Sequence, residues 1–199
     1  MAADTRVTPG RWIGMGWEIV RADLGNFLLM TLIALPLAMV GSFLVAGPLL
    51  AGLFIAVRRK MLEGRTDLGD LFAGFNLFID SFLVFILSGI FSLIGLALCV
   101  FPVLIVAAFY IFPYLYLVDR RVTFWDAMEA SRKVVSQHLA GHIVFVFLLL
   151  LLNLFGLMLM GVGVLITIPI SVAAIAVAYK ESVGFHYKPP QSYGPIIIE

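Results

Sequence analysis

Charged side chains are scarce in this sequence. Asp, Glu, Lys and Arg make up 13% of its 199 residues, whereas hydrophobic residues make up 62%. A soluble domain is usually about 25% charged and about 45–50% apolar, so no water-soluble core accounts for this much apolar sequence. The formal net charge of +1 also leaves no concentrated basic face of the kind that binds nucleic acid. The composition therefore predicts an integral membrane protein in contact with the lipid bilayer.

Metal-ligating side chains are almost as rare. The single cysteine, Cys99, lies in an apolar run, where a lone thiol usually serves as a small hydrophobic side chain. His138 and His142 have the i, i+4 spacing of a ligand pair, but no cysteine or close carboxylate completes a site. We predict no metal and no cofactor, and we interpret both histidines as interfacial residues at the start of a helix. Axial ligation of a haem or a chlorophyll-type pigment by His142 is the alternative.

Catalytic motifs are missing too. The sequence has no P-loop, no nucleophile elbow and no paired carboxylates in an apolar segment. We therefore predict no catalytic residues and no enzyme. Ionisable residues are absent from the middle of the apolar runs, and the nearest is Asp80 at the start of one; this disfavours ion-coupled transport. Backbone carbonyls at helix breaks near Pro48 or Pro113 are the alternative way to bind Na⁺.

Three charge-free runs separate four charged blocks. The runs cover 24–57, 81–118 and 134–179, and they contain 34, 38 and 46 residues. One crossing takes about 20 residues of helix, so each run predicts a hairpin of two spanning helices. All four blocks then share one face, which Lys and Arg mark as cytoplasmic. The predicted fold is an all-α bundle of six transmembrane helices (1–182) in a bacterial inner membrane, with both termini cytoplasmic and an extended, Pro-rich tail (183–199).

Glycine and proline mark the hairpin turns. They place the turns within 41–48, 95–102 and 156–163. Arg58 follows Pro48, at the end of the first turn, by only ten positions, so the second helix is predicted to be short. Either Arg58 and Arg59 extend their charges towards the membrane surface, or this helix is re-entrant.

Amphipathic segments lead into the second and third hairpins. Thr123 followed by Asp126 resembles a capping box that starts a helix, and 66–75 is a shorter segment of the same kind. We predict that both form interfacial helices on the cytoplasmic side, with tryptophans as interfacial anchors. One face of the longer helix contains Phe124, Ala127, Met128, Ser131 and Val135, and the tryptophans are Trp12, Trp17 and Trp125. The candidate contacts with a partner protein are Phe124, Trp125, Met128, Ile196, Ile197 and Ile198.

Neutral polar residues are the remaining features of the apolar runs. Asn153 lies among leucines and needs a hydrogen-bond partner, which we expect on a neighbouring helix. Ser88 and Ser92 have the spacing of small residues that let helices approach closely. All three are interpreted as packing residues, with contact to a ligand as the alternative. Tyr110 and Tyr114 share a helix face, which favours packing over a substrate path.

Several short motifs resemble a broad bacterial family of integral membrane proteins. Pro113 opens a helix that reads YLYLVD over 114–119, and AMEASR follows at 127–132. Further matches are GPL at 47–49, DLF at 70–72, Asn153 and Gly156, within a resemblance that covers 24–179. The family includes the membrane domain fused to some glycerophosphodiester phosphodiesterases. The resemblance implies a six-helix membrane domain, and it does not imply phosphodiesterase activity.

Two functions follow as hypotheses. The first is a non-enzymatic scaffold or accessory subunit of a larger membrane assembly, through a membrane-protein partner or self-association. The alternative is a transporter or carrier of lipids or other uncharged amphiphiles. A carrier needs a cavity or a lateral groove between its hairpins, whereas a solid bundle would contradict that function.

Overall fold

The computed structural model describes residues 8–40, 42–98, 100–159 and 163–186, and this part of the chain is helical without strands. The all-α prediction is confirmed. Cys99 and the tail residues Ile196, Ile197 and Ile198 lie outside the described residues. The α-helices are α1 (Pro9–Arg21), α2 (Leu24–Val40), α3 (Ser42–Glu63), α4 (Gly69–Ala73), α5 (Phe78–Leu98), α6 (Val100–Phe109), α7 (Pro113–Arg120), α8 (Phe124–Gln137), α9 (Leu139–Met158) and α10 (Val164–Ser182), and a 3₁₀ helix (Gly74–Leu77) joins α4 to α5.

Several helical segments are long and apolar enough to cross a membrane. There are four by length and composition, and five at most if α1 and α2, which are bent by 97° at their break, are counted as one. The described residues thus show fewer spans than the six predicted. Helix α2 has 17 residues, and α3 ends in a charged stretch. The four segments are Gly69–Gly95, Val103–Arg120, Leu139–Met158 and Val164–Ser182.

Three pairs of consecutive helices pack against each other: α2 with α3, α5 with α6, and α9 with α10. The first pair changes helix after Val40, the second after Leu98 and the third after Met158. Each change falls within the interval predicted for a turn. Pro48 and Gly95 do not end helices, however, since they lie inside α3 and α5.

The charged blocks lie next to one another in the structure. Arg11 pairs with Glu181, which joins the first block to the fourth. The Lys60 Nζ lies 3.2 Å from an Asp23 carboxylate oxygen, which joins the second block to the first. The Thr66 hydroxyl also donates a hydrogen bond to Asp23, and this bond holds the pKa of that carboxyl below its ordinary value. These contacts are consistent with the prediction that the blocks share a face.

Helix α1 packs closely along α10. A Cβ added to Gly16 would lie 2.7 Å from the Ala174 backbone nitrogen, so the two backbones touch at this glycine. Trp12 is buried at 2% exposure, packs edge-on against Phe145 at 4.9 Å between ring centroids, and donates its indole N–H to Glu181 at 2.6 Å. The prediction of an interfacial anchor is wrong for Trp12, because the ring is inside the bundle.

The segment after α3 is in backbone contact with α3. A Cβ added to Gly52 would lie 1.9 Å from the Leu71 carbonyl oxygen, and one added to Gly74 would lie 2.1 Å from that of Pro48. From Gly69 the helix continues through the 3₁₀ turn into α5 as one candidate span. A short helix, α4, does lie within 66–75, but it packs on α3 and leads into α5; its interfacial position stays a prediction.

The break between α6 and α7 occurs where Pro113 begins α7. Pro113 was one of two prolines predicted to break a helix, and Pro48 does not, since α3 continues through it. The Ser131 hydroxyl bridges the break: it donates to the Phe109 carbonyl at 2.6 Å and accepts from the Phe112 N–H at 3.3 Å. A side chain of α8 thus satisfies backbone groups that the break leaves free.

Helix α8 starts as the sequence predicts but buries its apolar face. The Thr123 oxygen accepts a hydrogen bond from the Asp126 N–H at 3.3 Å, and the Thr123 hydroxyl donates to the Asp126 carboxylate at 2.7 Å, so the predicted cap is confirmed. The face predicted to be apolar packs against the rest of the bundle, chiefly α5, α6 and α7, instead of facing lipid. Its buried residues are Ala127, Met128, Ser131 and Val135.

Candidate binding site between the apolar helices

An open cavity of about 390 Å³ lies between α3, α5, α6, α7, α9 and α10. Its wall is mostly apolar, and no charged side chain among the described residues lines it. Each of the four candidate spans contributes a neutral polar group to the wall. These groups belong to Ser88, Ser92, Tyr110, Tyr114, Asn153 and Ser171.

Asn153 joins α9 to α10 on this wall. Its amide nitrogen donates to the Ser171 hydroxyl at 2.7 Å and to the Leu149 carbonyl at 2.8 Å. The Ser171 hydroxyl in turn donates to the Thr167 carbonyl at 2.8 Å. The prediction that Asn153 finds its partner on a neighbouring helix is confirmed.

Replacing Asn153 by leucine is expected to lower the free energy of unfolding by only about 1 kcal/mol, because a hydrogen bond between membrane helices contributes about 0.6 kcal/mol on average. Leucine keeps the volume, and Ser171 keeps its bond to Thr167. Thermal unfolding in detergent would measure the change. Ser171→Ala should cost a similar amount, and the double variant should cost less than the sum. Additive losses would show that the two side chains are not coupled.

Two hydroxyl groups of the cavity wall lack a partner. Within the described part of the chain, the Ser88 hydroxyl and the Tyr114 hydroxyl are buried without a hydrogen bond. The Tyr114 ring stacks on Phe54 at 5.8 Å between centroids, which holds the phenol in place. Buried polar groups are usually hydrogen-bonded, so these two hydroxyls could bond to a polar atom that enters from the cavity once their side chains rotate towards it. In the described part of the chain, a buried atom without a partner is also found in Thr8, Thr167 and His142.

A second cavity of about 500 Å³ extends this site to the protein surface. Its outer wall includes Ile90 and Leu93, which are 48% and 67% exposed. The cavity therefore opens to the side, along α5, and a long apolar molecule could enter between helices. The two cavities share Leu50, Ser88, Ser92, Tyr110 and Tyr114.

His142 lies inside the bundle, whereas His138 is exposed. The His142 ring lies 5.9 Å from that of Trp12 and 5.7 Å from that of Phe112, and its Nδ1 is 3.0 Å from the His138 carbonyl oxygen. The interfacial interpretation is wrong for His142, because neighbouring aromatic side chains bury its imidazole. Axial ligation of a cofactor by His142 stays a prediction.

The candidate partner residues of α8 differ in exposure. Met128 is buried at 4% exposure and Phe124 is partly buried, while Trp125 is 58% exposed. The Phe124 N–H donates to the Asp80 carboxylate at 3.1 Å, so Asp80 holds the start of α8. Of these three candidates, Trp125 is therefore the one whose side chain can meet another molecule without rearrangement.

A buried carboxylate at the end of α7 escaped the sequence analysis. The Asp119 side chain has no exposed surface; it accepts from the Arg58 guanidinium at 2.9 Å, from the His186 N–H at 2.9 Å and from the Tyr179 hydroxyl at 3.4 Å. The Arg58 guanidinium also lies 5.8 Å from the centre of the Phe185 ring. This cluster joins α3, α7, α10 and the segment after α10.

The described residues contain no group of three or more His, Cys, Asp or Glu side chains that could hold a metal ion. Neutral hydroxyl and amide groups on an apolar wall can bind and orient a ligand by hydrogen bonds.

No protein-family model matches this chain, and no curated protein or solved structure matches it at a significant level.

Proposed function

We propose that this chain is a non-enzymatic membrane protein that binds and carries a lipid or a similar amphiphile between its helices. The observation that carries the proposal is the laterally open pair of cavities with unpaired hydroxyls on its wall. Ligand sites typically have about 300–1,000 Å³, mostly apolar walls and a few placed polar groups. The absence of charge from the wall, within the described residues, suits a cargo whose buried part is uncharged.

We further propose the six-helix arrangement in a bacterial inner membrane, with both termini on the cytoplasmic side. The contacts between charged blocks support a common face for them. Every Lys and Arg lies in these blocks. Because Lys and Arg are enriched on the cytoplasmic side of a membrane, this supports the cytoplasmic assignment. The resemblance to the bacterial membrane family points the same way.

The proposal is tested by native mass spectrometry of the chain released from native-lipid particles after gentle extraction. The wild-type chain is expected to carry one or two lipid molecules. The double variant Ser88→Leu/Ser92→Leu fills the space that both cavities share, so less room is left for a lipid. Lipid retention should fall at least about tenfold, which corresponds to a loss of about 1.4 kcal/mol of binding free energy.

A matched control is Ser136→Leu, because Ser136 is exposed on α8 and lines neither cavity. It should retain lipid as the wild-type chain does. A wild-type chain without bound lipid would contradict the proposal, and so would equal retention by the double variant when thermal unfolding shows that it is folded.

The second candidate function is that of an accessory subunit of a larger membrane assembly. The observation that favours it is a row of stacked phenylalanines on the surface of α4 and α5, which a partner helix could cover. Ring centroids along the row are 6.2–6.5 Å apart. A stoichiometric protein partner in the same mass spectra would favour this function. The row consists of Phe72, Phe75, Phe78 and Phe82.

A further inference from the structure

A third cavity, of about 350 Å³, lies beside the lipid site and differs from it in chemistry. It is a groove between α5, the α6–α7 break and α8. Charged side chains line it, in contrast to the two apolar cavities. Its lining residues are Phe91, Tyr110, Trp125, Met128, Glu129 and Arg132.

The groove and the apolar cavities share a wall. Tyr110 lines all three, and its ring stacks on Phe91 at 5.4 Å between centroids with an interplanar angle of 16°. A molecule in the apolar cavities thus needs to pass only this aromatic pair to place one end in the groove. The apolar cavities could therefore hold the apolar chains of an amphiphile, and the adjoining charged groove could hold its headgroup.

The groove contains one positively charged side chain among the described residues, Arg132, which attracts the Glu129 carboxylate electrostatically but forms no hydrogen bond or ion pair with it. Glu129 pairs with Lys133 at 2.8 Å, one turn along α8, and this hydrogen bond holds the pKa of Glu129 below its ordinary value. Arg132 is exposed and has no hydrogen bond or ion pair within the described part of the chain. Glu129 is paired chiefly with Lys133, so the guanidinium of Arg132 keeps its N–H donors free for a ligand.

The exposed indole of Trp125 forms the other side of the groove. Tryptophan rings are enriched at the level of lipid headgroups, where the ring contacts apolar chains and the indole N–H can donate to polar groups. Guanidinium groups bind phosphate through paired N–H donors. An arginine next to an indole therefore suits the phosphate of a lipid headgroup.

We propose that this groove binds the phosphate-bearing, anionic headgroup of an amphiphile whose apolar part occupies the adjoining cavities. The proposal rests on the proposed function, and it adds the class of cargo: an amphiphile with an anionic headgroup, not an uncharged one. Arg132 contacts the phosphate, Trp125 covers the headgroup, and the Phe91–Tyr110 pair separates headgroup from chains.

The test compares three lipids with identical oleoyl chains, each titrated onto the purified full-length chain in detergent, with bound lipid counted by native mass spectrometry. They are dioleoylphosphatidylglycerol (anionic), dioleoylphosphatidylcholine (zwitterionic) and dioleoylglycerol (no phosphate). The wild-type chain should prefer phosphatidylglycerol about tenfold over dioleoylglycerol, because only the phosphate can accept a charge-assisted hydrogen bond from Arg132. It should prefer phosphatidylglycerol over phosphatidylcholine by a smaller factor, because the choline ammonium offsets the attraction between the phosphate and Arg132. The preference should fall as salt is raised.

Two arginine variants separate the local effect from overall charge. Arg132→Gln should bring the three lipids to within about twofold of each other while retaining dioleoylglycerol binding. Arg21→Gln removes the same charge from an exposed position on α1, outside the groove, and should keep the preference. Equal binding of all three lipids by the wild-type chain, or a preference for phosphatidylcholine, would overturn the headgroup proposal and leave the proposed function standing. Failure to bind any of the three would instead contradict the proposed function.

Discussion

Replacing Gly52 by alanine is expected to prevent most of the protein from folding. The added Cβ would lie 1.9 Å from the Leu71 carbonyl oxygen and 2.6 Å from its carbon, and both are backbone atoms of the packed α4 segment. A side chain could rotate away from such a contact, but a backbone carbonyl can move only if α4 separates from α3. Overpacking usually costs about 1–3 kcal/mol, and we expect this backbone clash to cost at least about 3 kcal/mol.

Three glycines form a graded series around this contact. The nearest atom to an added Cβ lies at 1.9 Å for Gly52, 2.1 Å for Gly74 and 2.5 Å for Gly47. The yield of monodisperse protein and its melting temperature in detergent should therefore fall most for Gly52→Ala and least for Gly47→Ala. Gly25→Ala in α2 is the control, because no atom lies within 4 Å of its added Cβ. Alanine is the better helix former there, so its stability should be unchanged or slightly higher.

The opposite result would be informative about the fold. If Gly52→Ala melted within a few degrees of the wild-type protein, α4 could not be in backbone contact with α3. The continuous path from α4 through the 3₁₀ helix into α5 would then be wrong at its start.

Replacing Asp119 by asparagine is the second change for which we expect a large effect. The substitution keeps the shape of the side chain but removes the charge that the partly buried Arg58 guanidinium faces. Removing one partner of a buried ion pair typically costs about 3–5 kcal/mol, because the remaining charge is left unpaired. Arg58 retains some contact with solvent, since a quarter of its side chain is exposed, so the lower end of that range is expected. Chemical or thermal unfolding in detergent would measure the loss.

Two further variants distinguish the ion pair from general damage. The double variant Arg58→Met/Asp119→Leu should recover part of the stability, because apolar residues of similar size can replace a buried pair. Glu129→Gln removes the exposed ion pair with Lys133 on α8 and should cause no measurable change. A loss for Asp119→Asn no larger than that for Glu129→Gln would show that Asp119 is not the buried centre of this cluster.

Local sequence signals predicted the ends of helices well. Thr123 and Asp126 identified the start of α8, Pro113 the start of α7, and the glycine and proline positions the intervals in which consecutive helices meet. Asn153 was predicted to bond across helices because an amide among leucines needs a hydrogen-bond partner. These signals come either from residues that are close in sequence or from a polar side chain that needs a hydrogen-bond partner in an apolar segment.

Burial could not be predicted in the same way. In a water-soluble helix the change from apolar to polar residues marks the buried face. In α9, by contrast, buried Phe145 and Leu149 are of the same residue types as exposed Phe155 and Leu150, because lipid is as apolar as the core. The cavity and the buried position of His142 therefore leave no periodic trace in the sequence. The buried residues of α1, however, do recur every four positions: they are Trp12, Gly16 and Val20.

The contact between α1 and α10 has a consequence for biosynthesis. Arg11 and Glu181 are 170 residues apart, so α10, the partner of α1, leaves the ribosome long after α1. At about 5–20 residues per second, roughly 10–30 s pass between the two. During that interval the surface around Trp12 and Gly16 stays uncovered, and the nascent chain depends on the insertion machinery or on lipid to shield it. A chain truncated before α10 would therefore leave α1 without the helix against which it packs.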